Sequence, residues 1–274
     1  MPHDWNCYLT NVNGKLASIF LDLGLRSEIP DRNRLWLLWI WVQLKSPRPD
    51  GLSDDSEFDS LIALNKRIAQ ALNQKCKGLL AGTITTQGRR EFYFYGEDPE
   101  NLESAVLETN KVFQTYQFEW GSQQDSEWRQ YLDVLHPSEE QLQRMLNGNV
   151  LEVLRSEGDA LTAPRDVTHW AYFKDDGDRA GFRSAVTLLG YRIDSESEDR
   201  DDEYAKGICV VRLQSVNRAE LDEAVVELYR IARKFRGSYD GWECQLSNRE
   251  RRIGMGTKRT GEIAYATLRK NAER

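Results

Sequence analysis

Hydrophobic positions along the chain fall into two successive sets of elements. Trp5-Asn6-Cys7-Tyr8-Leu9-Thr10 and Lys15 to Leu21 flank Asn13-Gly14, which predicts a tight hairpin. Arg34 to Leu44, with Trp36, Trp39 and Trp41, is apolar throughout at strand length and predicts a strand covered on both faces. After the breaker Ser46-Pro47-Arg48-Pro49-Asp50-Gly51, a helix is predicted from Phe58, Leu61, Ile62, Ile68, Ala69 and Leu72. A hairpin about Gln87-Gly88 follows. A second helix starts near Pro99 and carries Leu102, Val106, Thr109, Val112, Phe113 and Tyr116. Gln117 to Trp120 closes the set as a strand. Without the opening hairpin, the predicted order is strand, helix, strand, strand, helix, strand.

Trp128 to Val134, and the stretch from Ser138 to Leu154, read as connecting helices. Ser138 with Gln141 forms a capping-box pattern directly after Pro137. The second set then begins. Val167 to Phe173 alternates as a strand, and Asp175 and Asp176 introduce a helix with Phe182, Ala185, Val186 and Leu189. Tyr191-Arg192-Ile193 and Ile208 to Leu213 are strands on either side of an acidic loop. Asn217 caps a long helix with Leu221, Val225, Leu228 and Ala232 on one side, and Tyr239 to Leu246 is the last strand. The expected fold class is α+β: two ferredoxin-like (β-α-β-β-α-β) sandwiches in tandem, the first with an extra N-terminal β-hairpin, joined by helices. The boundaries expected are a domain over residues 1–136, a helical linker over 137–164, a domain over 165–246 and a basic tail over 247–274.

In the second set, His169-Trp170-Ala171-Tyr172-Phe173-Lys174-Asp175-Asp176, Leu188-Leu189-Gly190-Tyr191 and Ser238-Tyr239-Asp240-Gly241-Trp242-Glu243 resemble the regulator of ribonuclease E activity B family. That resemblance implies a small α+β protein that binds the endoribonuclease and restrains it without cutting RNA. The region before it resembles a domain family of unknown function that occurs fused upstream of this regulator. It implies an architecture and no activity.

Composition narrows the function further. A chain of 274 residues with 40% apolar and 30% charged content supports two ordinary cores. A net charge of −7 argues against a whole-chain nucleic-acid binder. No opening signal-peptide pattern is read, and the longest apolar run is far short of the ~20 residues of a membrane helix, so a cytoplasmic, reduced protein without membrane contact is expected. Cys7, Cys76, Cys209 and Cys244 are scattered without metal spacing, and the first and last two are expected as small buried strand thiols. His3, His136 and His169 have no ligand-type neighbour at metal spacing. Gly254-Met255-Gly256-Thr257-Lys258 lacks the spacing of a phosphate loop. No catalytic residue, cofactor or metal is therefore expected. The three tryptophans of the first strand-like run are expected as core and seam rather than a ligand slot.

Charge patterning supplies the candidate partner-binding residues. The dense acidic run between the two strands, with Asp199, Asp201, Asp202 and Glu203, suits either a merely solvated loop or a docking surface for a basic partner. Tyr239, Asp240, Trp242 and Glu243 divide evenly between a structural corner and a binding face. Trp170 and Tyr172 join them, because the last strand pairs with the first in a ferredoxin-like sheet. The tail, with Arg249, Arg251, Arg252, Lys258 and Arg259, offers sequence-blind phosphate contacts or none. The expected partner is a ribonuclease E-type endoribonuclease or another protein with a basic segment. The alternatives are direct RNA binding through an open sheet face and the tail, and a small-molecule or hydrolytic role for the first domain.

Overall fold

The computed structural model describes residues 3–198, 203–247 and, as backbone alone, 265–269. The chain forms two compact units, Met1–Pro137 and Ser138–Arg274, each with its own antiparallel sheet and helices. It is an α+β protein.

The first unit runs β1 (Trp5–Val12), β2 (Lys15–Asp22), β3 (Trp36–Gln43), α1 (Phe58–Cys76), β4 (Leu79–Thr86), β5 (Arg89–Gly96), α2 (Leu102–Asn110) and β6 (Phe118–Gln124). Its six strands lie in the order β1-β2-β4-β5-β3-β6. Both hairpins turn where they are predicted to. Asn13 and Gly14 have φ of 52° and 76°, and Gln87 and Gly88 have 51° and 77°, the paired positive values of a two-residue turn. Leu38, Ile40 and Val42 of β3 meet Leu61, Leu64, Ile68 and Leu72 of α1 in one core. The opposite face is covered in part by a single π-helical turn, Gln130–Leu135, packed on β2 and β4. Trp128 anchors that turn. Its ring stacks on Tyr95 with centroids 3.7 Å apart, and Asp125 accepts from the Tyr95 hydroxyl at 2.6 Å and from the Arg129 and Gln130 amides.

Two predictions fail in this unit. The second helix ends at Asn110 rather than continuing to Tyr116, although Tyr116 still reaches the core. Cys7 is exposed, because β1 is an edge strand and Cys7 points to its solvated side.

The second unit runs α3 (Glu139–Ser156), β7 (Arg165–Phe173), α4 (Asp176–Leu188), β8 (Arg192–Glu198), β9 (Lys206–Gln214), α5 (Arg218–Lys234), β10 (Ser238–Gln245) and β11 (Tyr265–Arg269). The sheet order is β11-β10-β7-β9-β8. Each helix start is chemically specified. Ser138 and Gln141 form the reciprocal capping box, Asp175 accepts from the Asp178 amide at 2.8 Å, and Asn217 accepts from the Glu220 amide at 3.1 Å.

α3 is not a linker. It packs on α5 and puts Val150, Leu151 and Leu154 into the same core as Phe182, Leu221, Val225 and Trp242. Each such buried side chain contributes about 1.5–3 kcal/mol, and that burial fixes the helix to this unit. Asp159, just beyond it, is buried and held by Arg165, whose Nη2 donates to Oδ1 at 2.9 Å. Burial opposes the Asp159 charge, but Arg165 and the amides of Leu161 and Ser247 hold its carboxyl well below the usual range.

The acidic segment is only partly a loop. Its first half, through Glu198, is the edge strand β8. Beyond Ser247 the basic tail lies outside the described residues except for the backbone of β11, which pairs with β10 and places Thr267 opposite Glu243.

Candidate protein-interaction surface

Strand β10 carries the Tyr239-to-Glu243 motif, and its local geometry decides where each side chain goes. Tyr239 pairs with Ala171 of β7, whereas Gly241 pairs with Trp170, so Asp240 is the extra residue of a β-bulge. Gly241 supplies the φ of 134° that this bulge requires. Tyr239 and Trp242, three residues apart, both face the helices as a result. Trp242 is fully buried and its indole Nε1 donates to Asn147 of α3 at 2.8 Å. Asn147 in turn donates to Asp222 of α5 at 2.9 Å. Tyr239 shares a 2.8 Å hydrogen bond with Nδ1 of His169. Burial, and secondarily the charge on Arg212, push the His169 imidazole down to about 3, so it is neutral in the folded protein. Asp240 is buried at the bulge. Tyr239 and Trp242 therefore hold the sheet to its helices, and Asp240 is buried in the bulge between them.

Trp170 and Tyr172 behave differently. They alternate with the buried His169, Ala171 and Phe173, which places them on the sheet face away from the helices, where they are half-buried. Gly207 makes this possible for Tyr172, since a Cβ there would meet the Tyr172 ring at 3.0 Å. Glu243 is half-buried on the same face, two strand positions from the bulge.

The acidic edge is an exposed charged element of this unit. Along β8 only Ile193 is half-buried; Arg192 and Asp194 to Glu198 are exposed. As the edge strand it leaves one row of backbone groups without a strand neighbour among the described residues. Its carboxylates are partly balanced from within. Arg183 pairs with Glu196, Lys206 with Glu198 at 2.8 Å, and Arg179 lies 3.5 Å and 3.8 Å from Glu196 and Glu198. Glu203 pairs with Lys174. Largely exposed pairs such as Arg183 with Glu196 and Lys174 with Glu203 contribute only about 0–1 kcal/mol each. Asp199, Asp201 and Asp202 lie outside the described residues.

In the first unit the tryptophans split. Trp36 packs toward the helices, whereas Trp39 and Trp41 stand half-buried on the other face with ring centroids 4.6 Å apart. Trp39 lies across Gly121, where a Cβ would come within 2.4 Å of its ring. Behind Trp41, Glu91 is buried and accepts from Arg89 Nε and the Tyr93 hydroxyl, both at 2.6 Å. Glu91, Arg89 and Tyr93 satisfy one another, and the Arg89 guanidinium lies over the Trp41 ring at 4.0 Å.

Asn147 was not legible as a key residue, since an Asn-Gly-Asn run reads as polar surface. The available signal was its spacing with Gln143, Val150, Leu151 and Leu154 on one helical stripe. Burial also explains the thiols of Cys209 and Cys244, both pushed up to about 11. Among the described residues no group of His, Cys, Asp and Glu is placed to hold a metal ion, and no helix is long and apolar enough to cross a membrane.

Comparison with known families divides the chain as the two units do. Residues 144–244 match the family described as regulator of ribonuclease activity B, and residues 3–136 match a family of unknown function (DUF695). No curated protein matches the chain. A solved structure described as an unknown protein from Galdieria sulphuraria is similar at 11% identity over 75% of this chain and 96% of its own, with a TM-score of 0.20.

Proposed function

We propose that this chain is a non-catalytic regulator of ribonuclease activity, whose second unit binds a ribonuclease E-type endoribonuclease or its scaffold and thereby modulates RNA decay in the cytoplasm. The observation that carries this reading is the exposed acidic edge strand in the unit that matches the ribonuclease-regulator family. A strand edge offers backbone pairing to an extended segment, and carboxylates along it favour arginine and lysine in that segment. Charge of this kind raises the association rate and selects basic partners more than it raises affinity. The half-buried Trp170, Tyr172 and Glu243 on the sheet face away from the helices give a second, aromatic contact area for the same partner.

Within this reading both units are ferredoxin-like sandwiches. The strand orders support it, since β10-β7-β9-β8 and β6-β3-β5-β4 each follow the succession fourth, first, third, second. The domain limits that go with it are Met1–Pro137 for the first unit and Ser138–Arg274 for the second.

The experiment is a cleavage assay with a ribonuclease E-type enzyme and a structured RNA, titrated with the full chain, alongside direct binding to the enzyme. Cleavage should fall as the complex forms, and the association rate should drop as salt is raised. An enzyme that neither binds nor changes its rate would overturn the proposal. Salt-sensitive retention of RNA by this chain alone would replace it with direct RNA binding.

A further inference from the structure

The helical side of the second unit holds a groove that the acidic edge does not reach. It occupies about 1010 Å³ between the end of α4 and the outer face of α5, with the last residues of β9 at one side. Three leucines line it while standing in solvent. Leu188 is 89% exposed, Leu213 68% and Leu189 38%. A set of large aliphatic side chains gathered around one depression marks an interaction site rather than scattered surface apolarity.

The polar groups around these leucines carry an imbalance. Every arginine in the groove is already engaged. Arg230 makes two hydrogen bonds to Glu140 at 2.7 Å and 2.6 Å, and Arg144 lies 3.8 Å from Asp222. Arg212 sits over the Tyr191 ring at 4.3 Å and donates to Oε1 of Gln214 at 2.8 Å. By contrast, Glu223 and Glu227 of α5 line the groove one turn apart with no ion pair among the described residues. Gln214, only 9% exposed, also lines it. Its Oε1 is taken by Arg212, which fixes the amide orientation, and its buried Nε2 has no acceptor among the described residues.

We propose that this groove docks a basic amphipathic helix of a partner protein, its leucine-type side chains on Leu188 and Leu189, and its lysines or arginines on Glu223 and Glu227. Helix-in-groove recognition reads apolar anchors at i, i+3, i+4 and i+7, and flanking charge selects the sign of the partner. The inference takes from the proposed function only that the second unit works by binding, so its test uses no ribonuclease.

The probe is a fluorescein-labelled peptide of leucine and lysine with leucines at that spacing, set against a counterpart carrying glutamate for every lysine. Fluorescence anisotropy with the full chain should detect the lysine peptide and not the glutamate peptide. Leu188→Glu, and separately Glu223→Lys combined with Glu227→Lys, should weaken binding by roughly tenfold or more. These positions lie on the rim, and an unchanged thermal melt verifies that each variant is folded. Equal affinity of wild type and variants, or equal binding of both peptides, would overturn the proposal. A wild-type dimer in sedimentation that Leu188→Glu dissolves would also overturn it, assigning the groove to a second copy of the chain.

Discussion

The indole nitrogen of Trp242 lies 2.8 Å from the side-chain oxygen of Asn147, and the amide nitrogen of that same Asn147 lies 2.9 Å from Asp222. One buried side chain thus joins the last motif strand to two helices. Asn147→Ala would leave an indole N–H and a buried carboxylate oxygen unpaired together. The expected cost is roughly 2–4 kcal/mol in urea unfolding of the second unit. A loss well below about 1 kcal/mol would mean that the three groups find other partners.

Acid should weaken the second unit through His169. The folded protein keeps this ring neutral down to about 3, whereas the unfolded chain takes up a proton near the ordinary 6.5. The unfolded state therefore binds more protons between those values. The stabilisation is present above about pH 6.5 and is lost as pH falls toward 3, at a limiting slope of about 1.4 kcal/mol per pH unit. His169→Gln should flatten this slope between about pH 6 and 4.5, above the range where Asp159 begins to contribute. The slope, read from urea midpoints across that range, isolates the proton from the packing change.

Neutralising Asp199, Asp201, Asp202 and Glu203 together should slow association with a basic partner at low salt, by about threefold to tenfold, and change little at high salt. Arg183→Ala should act in the opposite direction, because it removes the cation paired with Glu196. Stopped-flow association rates measured at two ionic strengths check both, and equal rates for all three proteins would remove the edge from the mechanism.

Each unit has its own core, so their unfolding should be separable. Trp128→Ala removes the ring stacked on Tyr95 and should cost the first unit about 3–5 kcal/mol. Trp242→Ala should do the same to the second. Calorimetry should show one transition moving in each variant while the other stays, and a single transition shifting in both would mean that the units melt as one.

Much of this architecture was legible in local sequence chemistry. Asn13-Gly14, Gln87-Gly88, Ser138 with Gln141, and Asn217 each specify a turn or cap through a few neighbouring atoms, and each occurs where expected. What was not legible depends on positions decided at long range. α3 looks like a connector until α5 is packed against it. The acidic run looks like a loop until Arg179, Arg183 and Lys206 are brought beside it. Trp170 and Tyr172 follow simple alternation along β7. Tyr239, Asp240 and Trp242 do not, because a single extra residue changes which side each occupies.

That extra residue makes strand length itself a determinant of the second unit. Two large rings separated by three positions can share a face only while the strand is out of step with its neighbour between them. A chain lacking Asp240 alone would return to regular alternation and have to turn either the phenol or the indole out of the interior, with every chemical group needed for the core still present. Relatives of this unit should consequently tolerate exchange of the side chain at the bulge far better than its deletion.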